Sequence, residues 1–147
     1  MSVIAWDGKT IAADKSSTCC EMRAPVTKIL RLKSGDVVAW TGGQEQGMAL
    51  AEWYENGADR TTWPEFQKGD DWTRLIVASK AGVFEFERLP FPQKIESPFR
   101  AWGSGRDFAM GAMAMGADAS TAVIVATTYN IHCGCGLDAF DIVEGND

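Results

Sequence analysis

The chain opens Met1-Ser2-Val3-Ile4-Ala5-Trp6-Asp7-Gly8-Lys9-Thr10-Ile11-Ala12-Ala13-Asp14. Two short apolar runs flank Asp7-Gly8, which predicts a β-hairpin with strands at 2–6 and 10–14. A small hydroxyl residue stands directly behind the methionine. An initiator methionine is usually trimmed before a residue as small as serine. Ser2 would then carry a hydroxyl and a free α-amine together, a nucleophile with its general base on one residue. Such an arrangement needs no histidine, and the chain has only His132. The plain alternative makes Ser2 the first residue of a strand and nothing more.

At 147 residues the chain is expected to be a single domain, residues 1–147, with a sizeable core. Its hydrophobic share of 46% and charged share of 23% are those of a globular protein. No apolar run approaches the roughly 18 to 20 residues of a membrane span. The first residues lack the basic and apolar segments of a secretory signal, so a cytoplasmic location is expected. A net charge of −6 without a basic cluster argues against a nucleic-acid partner. Cys19-Cys20 and Cys133-Gly134-Cys135 read as free thiols of a reducing compartment.

After the first hairpin, residues 15–25 read as a polar loop carrying Ser16, Ser17 and Thr18. An alternating strand is expected at 26–32, with Val26, Lys28, Leu30 and Leu32 on one face. A second strand at 37–41 ends at Gly42-Gly43. Gly47, Leu50, Trp53 and Tyr54 then recur at helical spacing, which predicts a helix from Gln44 to about Asn56, stopped by Gly57. Residues 58–71 are polar and irregular, with a short turn around Trp63-Pro64. A hairpin at 73–79 and 83–88 follows, then a proline-rich connection at 89–98 and a strand at 99–103. Ser104 and Asp107 form a capping-box pattern for a helix at 105–116. Asp118 or Ser120 starts another helix, to about Asn130, and a last strand runs from 137 to 143. Antiparallel hairpins with segregated helices indicate an α+β fold of two packed sheets with helices outside.

A lysine on an apolar strand face needs a carboxylate to hold its charge, and Asp14 is a candidate partner for Lys28. A cation there would lower the pKa of a neighbouring hydroxyl and amine. The alternative is a snorkelling surface lysine and a turn aspartate. Gly42, between a strand and a helix, offers a backbone N–H for an oxyanion, or is a plain turn glycine. Ser104 is a helix N-cap by pattern. Gly103-x-Gly105 lacks the third glycine of a dinucleotide fingerprint. His132, Cys133 and Cys135, with Cys19 or Cys20, do not have standard zinc spacing, and no GxSxG elbow supports a triad through His132.

These segments, taken in order, resemble the proteasome β-type peptidases of the N-terminal nucleophile hydrolases. They are similar in particular to short proteasome-type proteins encoded by bacteriophages and some bacterial genomes. The resemblance rests on Ser2-Val3-Ile4-Ala5, Ala12-Ala13-Asp14, Thr27-Lys28-Ile29-Leu30-Arg31-Leu32 and Thr41-Gly42-Gly43. It continues with Trp102-Gly103-Ser104-Gly105-Arg106-Asp107-Phe108-Ala109 and the glycine turn into Leu137-Asp138. It implies a four-layer α-β-β-α sandwich and a threonine-peptidase-type hydrolase in which Ser2 replaces threonine. Asp14, Lys28 and Ser104 would complete the catalytic set, Gly42 would supply the oxyanion hole, and Thr18 would pair with substrate backbone. Asn130 and Cys133 stand where the family places an aspartate and a further serine around the amine.

The resemblance also implies a polypeptide or peptide substrate, no metal or organic cofactor, a homo-oligomeric ring and an ATP-dependent unfoldase as partner. A phage-encoded protein would work in the host cytoplasm. The competing expectation is a catalytically inactive ring subunit or regulator, which is what a retained Met1 would leave.

Overall fold

The computed structural model describes residues 2–142. Met1, and Val143 at the end of the predicted last strand, lie outside the described residues. The first hairpin forms as expected, with β1 (Val3–Trp6) antiparallel to β2 (Thr10–Asp14). Asp7 closes its turn: Oδ1 accepts the N–H groups of Lys9 and Thr10. β10 (Arg100–Gly103) and β11 (Leu137–Asp141) flank this pair, giving a four-stranded sheet in the order β10-β1-β2-β11. A second sheet runs β5-β6-β7-β8-β9, from β5 (Ile29–Arg31), β6 (Val37–Thr41), β7 (Arg74–Ser79), β8 (Gly82–Phe86) and β9 (Gln93–Lys94).

Side-chain alternation along these strands builds the layers. Val3, Ala5 and Ala12 face α2 (Arg106–Ala114) and α3 (Ala119–Tyr129), meeting Ala109, Met113, Ala122 and Ala126. Ile4, Ile11 and Ala13 face the other way, onto Ile29, Val37, Ala39, Ile76 and Ala78 between the sheets. Val38, Trp40, Leu75 and Val77 form the far face of the second sheet, covered by Leu50, Ala51 and Trp53 of α1 (Gln44–Glu55). The result is an α-β-β-α sandwich. Both faces of the central strands are buried, which explains their nearly continuous apolar sequences.

Several local expectations change. Residues 15–25 are not a loop: β3 (Ser16–Cys19) and β4 (Met22–Pro25) form a separate two-stranded hairpin. Its turn puts Cys20 at φ 53° and Glu21 at φ 66°, the left-handed pair of a two-residue hairpin turn. The strand expected at 26–32 shrinks to Ile29–Arg31. Lys28 and Ile29 are both buried while Leu30 is 39% exposed, so Lys28 does not share a face with Leu30. The proline-rich connection contains β9, which adds to the edge of β8. The capping box at Ser104 is absent, because α2 is capped at Gly105 and Asp107 lies out in solvent. Asp118 does cap α3, accepting the Thr121 N–H at 2.8 Å. Asp7 Oδ2 joins it there by accepting the Ala119 N–H at 2.8 Å.

Gly47 lies where α1 crosses Trp40, and a Cβ there would come within 2.1 Å of the indole ring. Gly47→Ala gains at most about 1 kcal/mol of helix propensity, whereas overpacking a closed core costs about 1–3 kcal/mol. The expected outcome is a lower thermal unfolding midpoint, measured by circular dichroism; an unchanged or higher midpoint would show that Trp40 can move aside.

Candidate functional site

Asp14, the last residue of β2, is buried, and its carboxylate gathers donors from distant parts of the chain. Oδ1 accepts from Lys28 Nζ at 2.9 Å and from the Val3 N–H at 3.0 Å. Oδ2 accepts the Gly134 N–H at 3.0 Å and the Ser16 N–H at 3.3 Å. Lys28 is itself 5% exposed. Its charge therefore sits in a low-dielectric site against a carboxylate that is also tied to three backbone amides. A buried pair is favourable only when its remaining lone pairs are satisfied in this way. The snorkelling alternative for Lys28 is excluded.

Ser2, one residue before the Val3 amide, is buried at the head of β1. Its carbonyl oxygen accepts from the Gly105 N–H at 3.2 Å and from Ser104 Oγ at 3.3 Å. Ser104 thus turns toward Ser2 instead of capping α2. Gly103 makes this approach feasible: it has φ +93°, and a Cβ there would lie 2.1 Å from the Ser2 oxygen. Asn130 holds Ser104 from behind. Its Nδ2 donates to the Ser104 carbonyl at 2.9 Å, and its Oδ1 accepts the His132 N–H at 2.8 Å. Cys133 is buried with Sγ 3.9 Å from Ser104 Oγ. Burial first, and then the charge of Asp14, push its thiol pKa up, so at neutral pH it is a neutral group lining the site.

Lys28 is fixed through its backbone as well. Its carbonyl accepts the Trp40 N–H at 3.1 Å, and Gln44 Nε2 donates to the neighbouring Thr27 carbonyl at 2.7 Å. Gly42 follows β6 with φ +114°, packed so closely on Thr73 that a Cβ would sit 2.8 Å from its Oγ1. A chain of buried polar groups supports this loop. Thr73 Oγ1 accepts the Gly43 N–H at 3.2 Å and donates to Gln46 Oε1 at 2.9 Å. Gln67 binds the Thr73 backbone in both directions, donating from Nε2 to its carbonyl and accepting its N–H at Oε1.

Hydrogen bonds thus bring Ser2, Asp14, Lys28, Ser104, Asn130 and Cys133 together. Gly42 sits at the end of the strand that holds Lys28. Thr18 stands apart, on the β3–β4 hairpin opposite Arg23, whose guanidinium donates to the Ile131 carbonyl. Sequence reading missed Gln67, Thr73 and Arg23. Each is a polar residue whose partners are long-range, and no local pattern announces it. Among the described residues no three His, Cys, Asp or Glu side chains are placed to hold a metal ion. No helix among them is long and apolar enough to cross a membrane.

No protein-family model matches the chain, and no curated protein matches it. Solved structures do. Thiobacillus denitrificans BPH is 21% identical with a TM-score of 0.72, and the match covers 100% of both chains. The same protein in complex with epoxomicin gives 21% identity and a TM-score of 0.74 over 97% of this chain and 100% of that one. Eukaryotic HslV from Trypanosoma brucei gives 20% identity and a TM-score of 0.73, covering 95% of this chain and 97% of that one. The α+β sandwich expected from the resemblance to proteasome β-type N-terminal nucleophile hydrolases is the fold of this chain.

Two substitutions test the geometry. Lys28→Met leaves Asp14 buried without its cation, and removing one member of a buried pair costs about 3–5 kcal/mol. The three backbone donors that remain on Asp14 place the expected loss, read by urea unfolding, near the lower end. Gly103→Ala forces a left-handed alanine against the Ser2 carbonyl and should cost about 2 kcal/mol or more. Wild-type stability in either variant would contradict the arrangement.

Proposed function

We propose that the chain is a peptidase or amide hydrolase of the N-terminal nucleophile type, active once Met1 is removed. The observation that carries this reading is the buried Lys28–Asp14 pair, whose Oδ1 also binds the amide immediately after Ser2. In this mechanism Ser2 Oγ attacks the scissile carbonyl and its proton passes to the residue's own α-amine. The Lys28 charge lowers the pKa of both groups, and Asp14 keeps that charge in place. Ser104 and Asn130 orient the terminal residue through its carbonyl and the turn behind it. The Gly42 N–H faces the developing oxyanion, with Thr73 fixing the loop. The amine then returns its proton to the leaving nitrogen, and water releases the acyl-enzyme.

Serine keeps the hydroxyl of a threonine nucleophile but lacks the methyl that restricts its rotamer, which predicts slower turnover. Thr18, on the β3–β4 hairpin, would pair with substrate backbone. A closed homo-oligomeric ring fed by an ATP-dependent unfoldase completes the proposal, in the cytoplasm or, for a phage protein, the host cytoplasm. The solved relative that binds epoxomicin supports testing the same compound here.

Mass spectrometry after exposure to epoxomicin should locate an adduct on Ser2 in protein lacking Met1. Ser2→Ala should lose the adduct and cut peptide hydrolysis by about 10³-fold or more, while Ser2→Thr should retain both. Full hydrolysis by Ser2→Ala would sink the mechanism. Uniform retention of Met1 would instead favour the inactive ring subunit or regulator.

The pH profile offers a second test. A terminal amine in its ordinary range, about 7.7 to 8.0, is a base only when deprotonated, so activity should rise with pH through its pKa. Removing a nearby cation raises that pKa. In Lys28→Met the residual activity should therefore rise at higher pH than in the wild type, and an unshifted profile would exclude Lys28 from this role.

A further inference from the structure

The β3–β4 hairpin ends in two adjacent exposed cysteines, Cys19 and Cys20, with Sγ atoms 3.4 Å apart. The proposed reaction uses neither. We infer that they form a vicinal-dithiol site for a pyramidal thiophilic electrophile, the class of the trivalent organic arsenicals.

Three occupants compete for such a pair, and geometry separates them. A disulfide would join neighbouring residues whose Cα atoms lie about 3.8 Å apart, below the roughly 4.4–6.8 Å of relaxed disulfides. Closing it would distort a turn whose central residues, Cys20 and Glu21, already hold left-handed backbone angles. Zinc wants four ligands, and among the described residues no third His, Cys, Asp or Glu is placed to hold a metal ion together with the pair. For bonds to sulfur of about 2.3 Å, a tetrahedral centre holds two sulfurs roughly 3.8 Å apart, and a pyramidal centre with near-perpendicular bonds roughly 3.3 Å apart. The observed 3.4 Å fits the pyramidal centre.

The reaction balances without a redox partner. An organic arsenoxide, R–As=O, takes one proton from each thiol onto its oxygen, which leaves as water. Two As–S bonds replace the As=O bond, and arsenic stays trivalent. Both sulfurs project from adjacent residues of one turn, at a separation that one central atom can bridge. The site lies one residue beyond Thr18, on a hairpin whose Arg23 donates to the Ile131 carbonyl close before Cys133 and Gly134. It stands independently of the hydrolytic reading.

Phenylarsine oxide added to the reduced, full-length protein is the direct test, read by intact mass and peptide mapping. One phenylarsenic group should bridge Cys19 and Cys20, resist excess glutathione and be released by 2,3-dimercaptopropanol. Cys19→Ser and Cys20→Ser should each lose the glutathione-resistant adduct, and Cys135→Ser should keep it. The inference is overturned if no adduct forms, if glutathione removes it, if it survives in either serine variant at the pair, or if it is lost in Cys135→Ser.

Discussion

A carboxylate buried at the end of a strand must be given back the hydrogen bonds it had in water, and most of this structure can be read as the means of doing so. Asp14 accepts from Lys28, Val3, Ser16 and Gly134, four separate points of the chain. An unpaired ionised group at that depth would cost several kcal/mol. Each donor fixes the path of its segment. Val3 sets where β1 begins, Ser16 where the β3–β4 hairpin departs, and Lys28 where the second sheet is entered. Gly134 sets how the chain returns to β11. The same requirement places a cation and a strand terminus side by side.

How far this could be read from the sequence depended on whether the signal was local. β1, β2, β6, β7 and β8 bury residues on both faces or alternate cleanly, and their runs of Val, Ile and Ala announced them. α1 showed its stripe through Leu50 and Trp53. The β3–β4 hairpin gave no such sign. Ser17 and Thr18 pair with Ala24 and Arg23 on a largely exposed ribbon, so there is no apolar period to find, and the turn uses Cys20-Glu21 instead of Asn-Gly. Ser104 misled in the opposite way. Its local pattern with Asp107 is that of a helix cap, yet the Ser2 carbonyl, more than a hundred residues away in sequence, is its acceptor. The ordered resemblance set Ser104 beside the first residues, a long-range relation that periodicity cannot carry.

The site also divides its work between rigid and close-packed parts. The polar groups gathered around Asp14 and Ser2 sit on strand ends and on the turn after α3, while glycines at 42, 103 and 105 give the backbone room to approach. Gly105 lies where a Cβ would meet both Cys133 and Val3 at 2.9 Å, so the start of α2, strand β1 and the turn before β11 meet at one point. Gln67 and Thr73 perform the corresponding task on the other side. They do so with hydrogen bonds in place of packing, as an irregular loop with buried amides requires.

The wide spacing of the donors to Asp14 has a consequence in time. Closing contacts over such separations is slow, because loop entropy is lost before the contact returns anything. Gly134 lies 120 residues after Asp14. The anion's last ligand is therefore still unmade when a ribosome has synthesised most of the chain. Until it emerges, the Asp14 carboxylate lacks one of its four donors. The surroundings of this buried anion are therefore completed late in synthesis, once every described strand but β11 has been made.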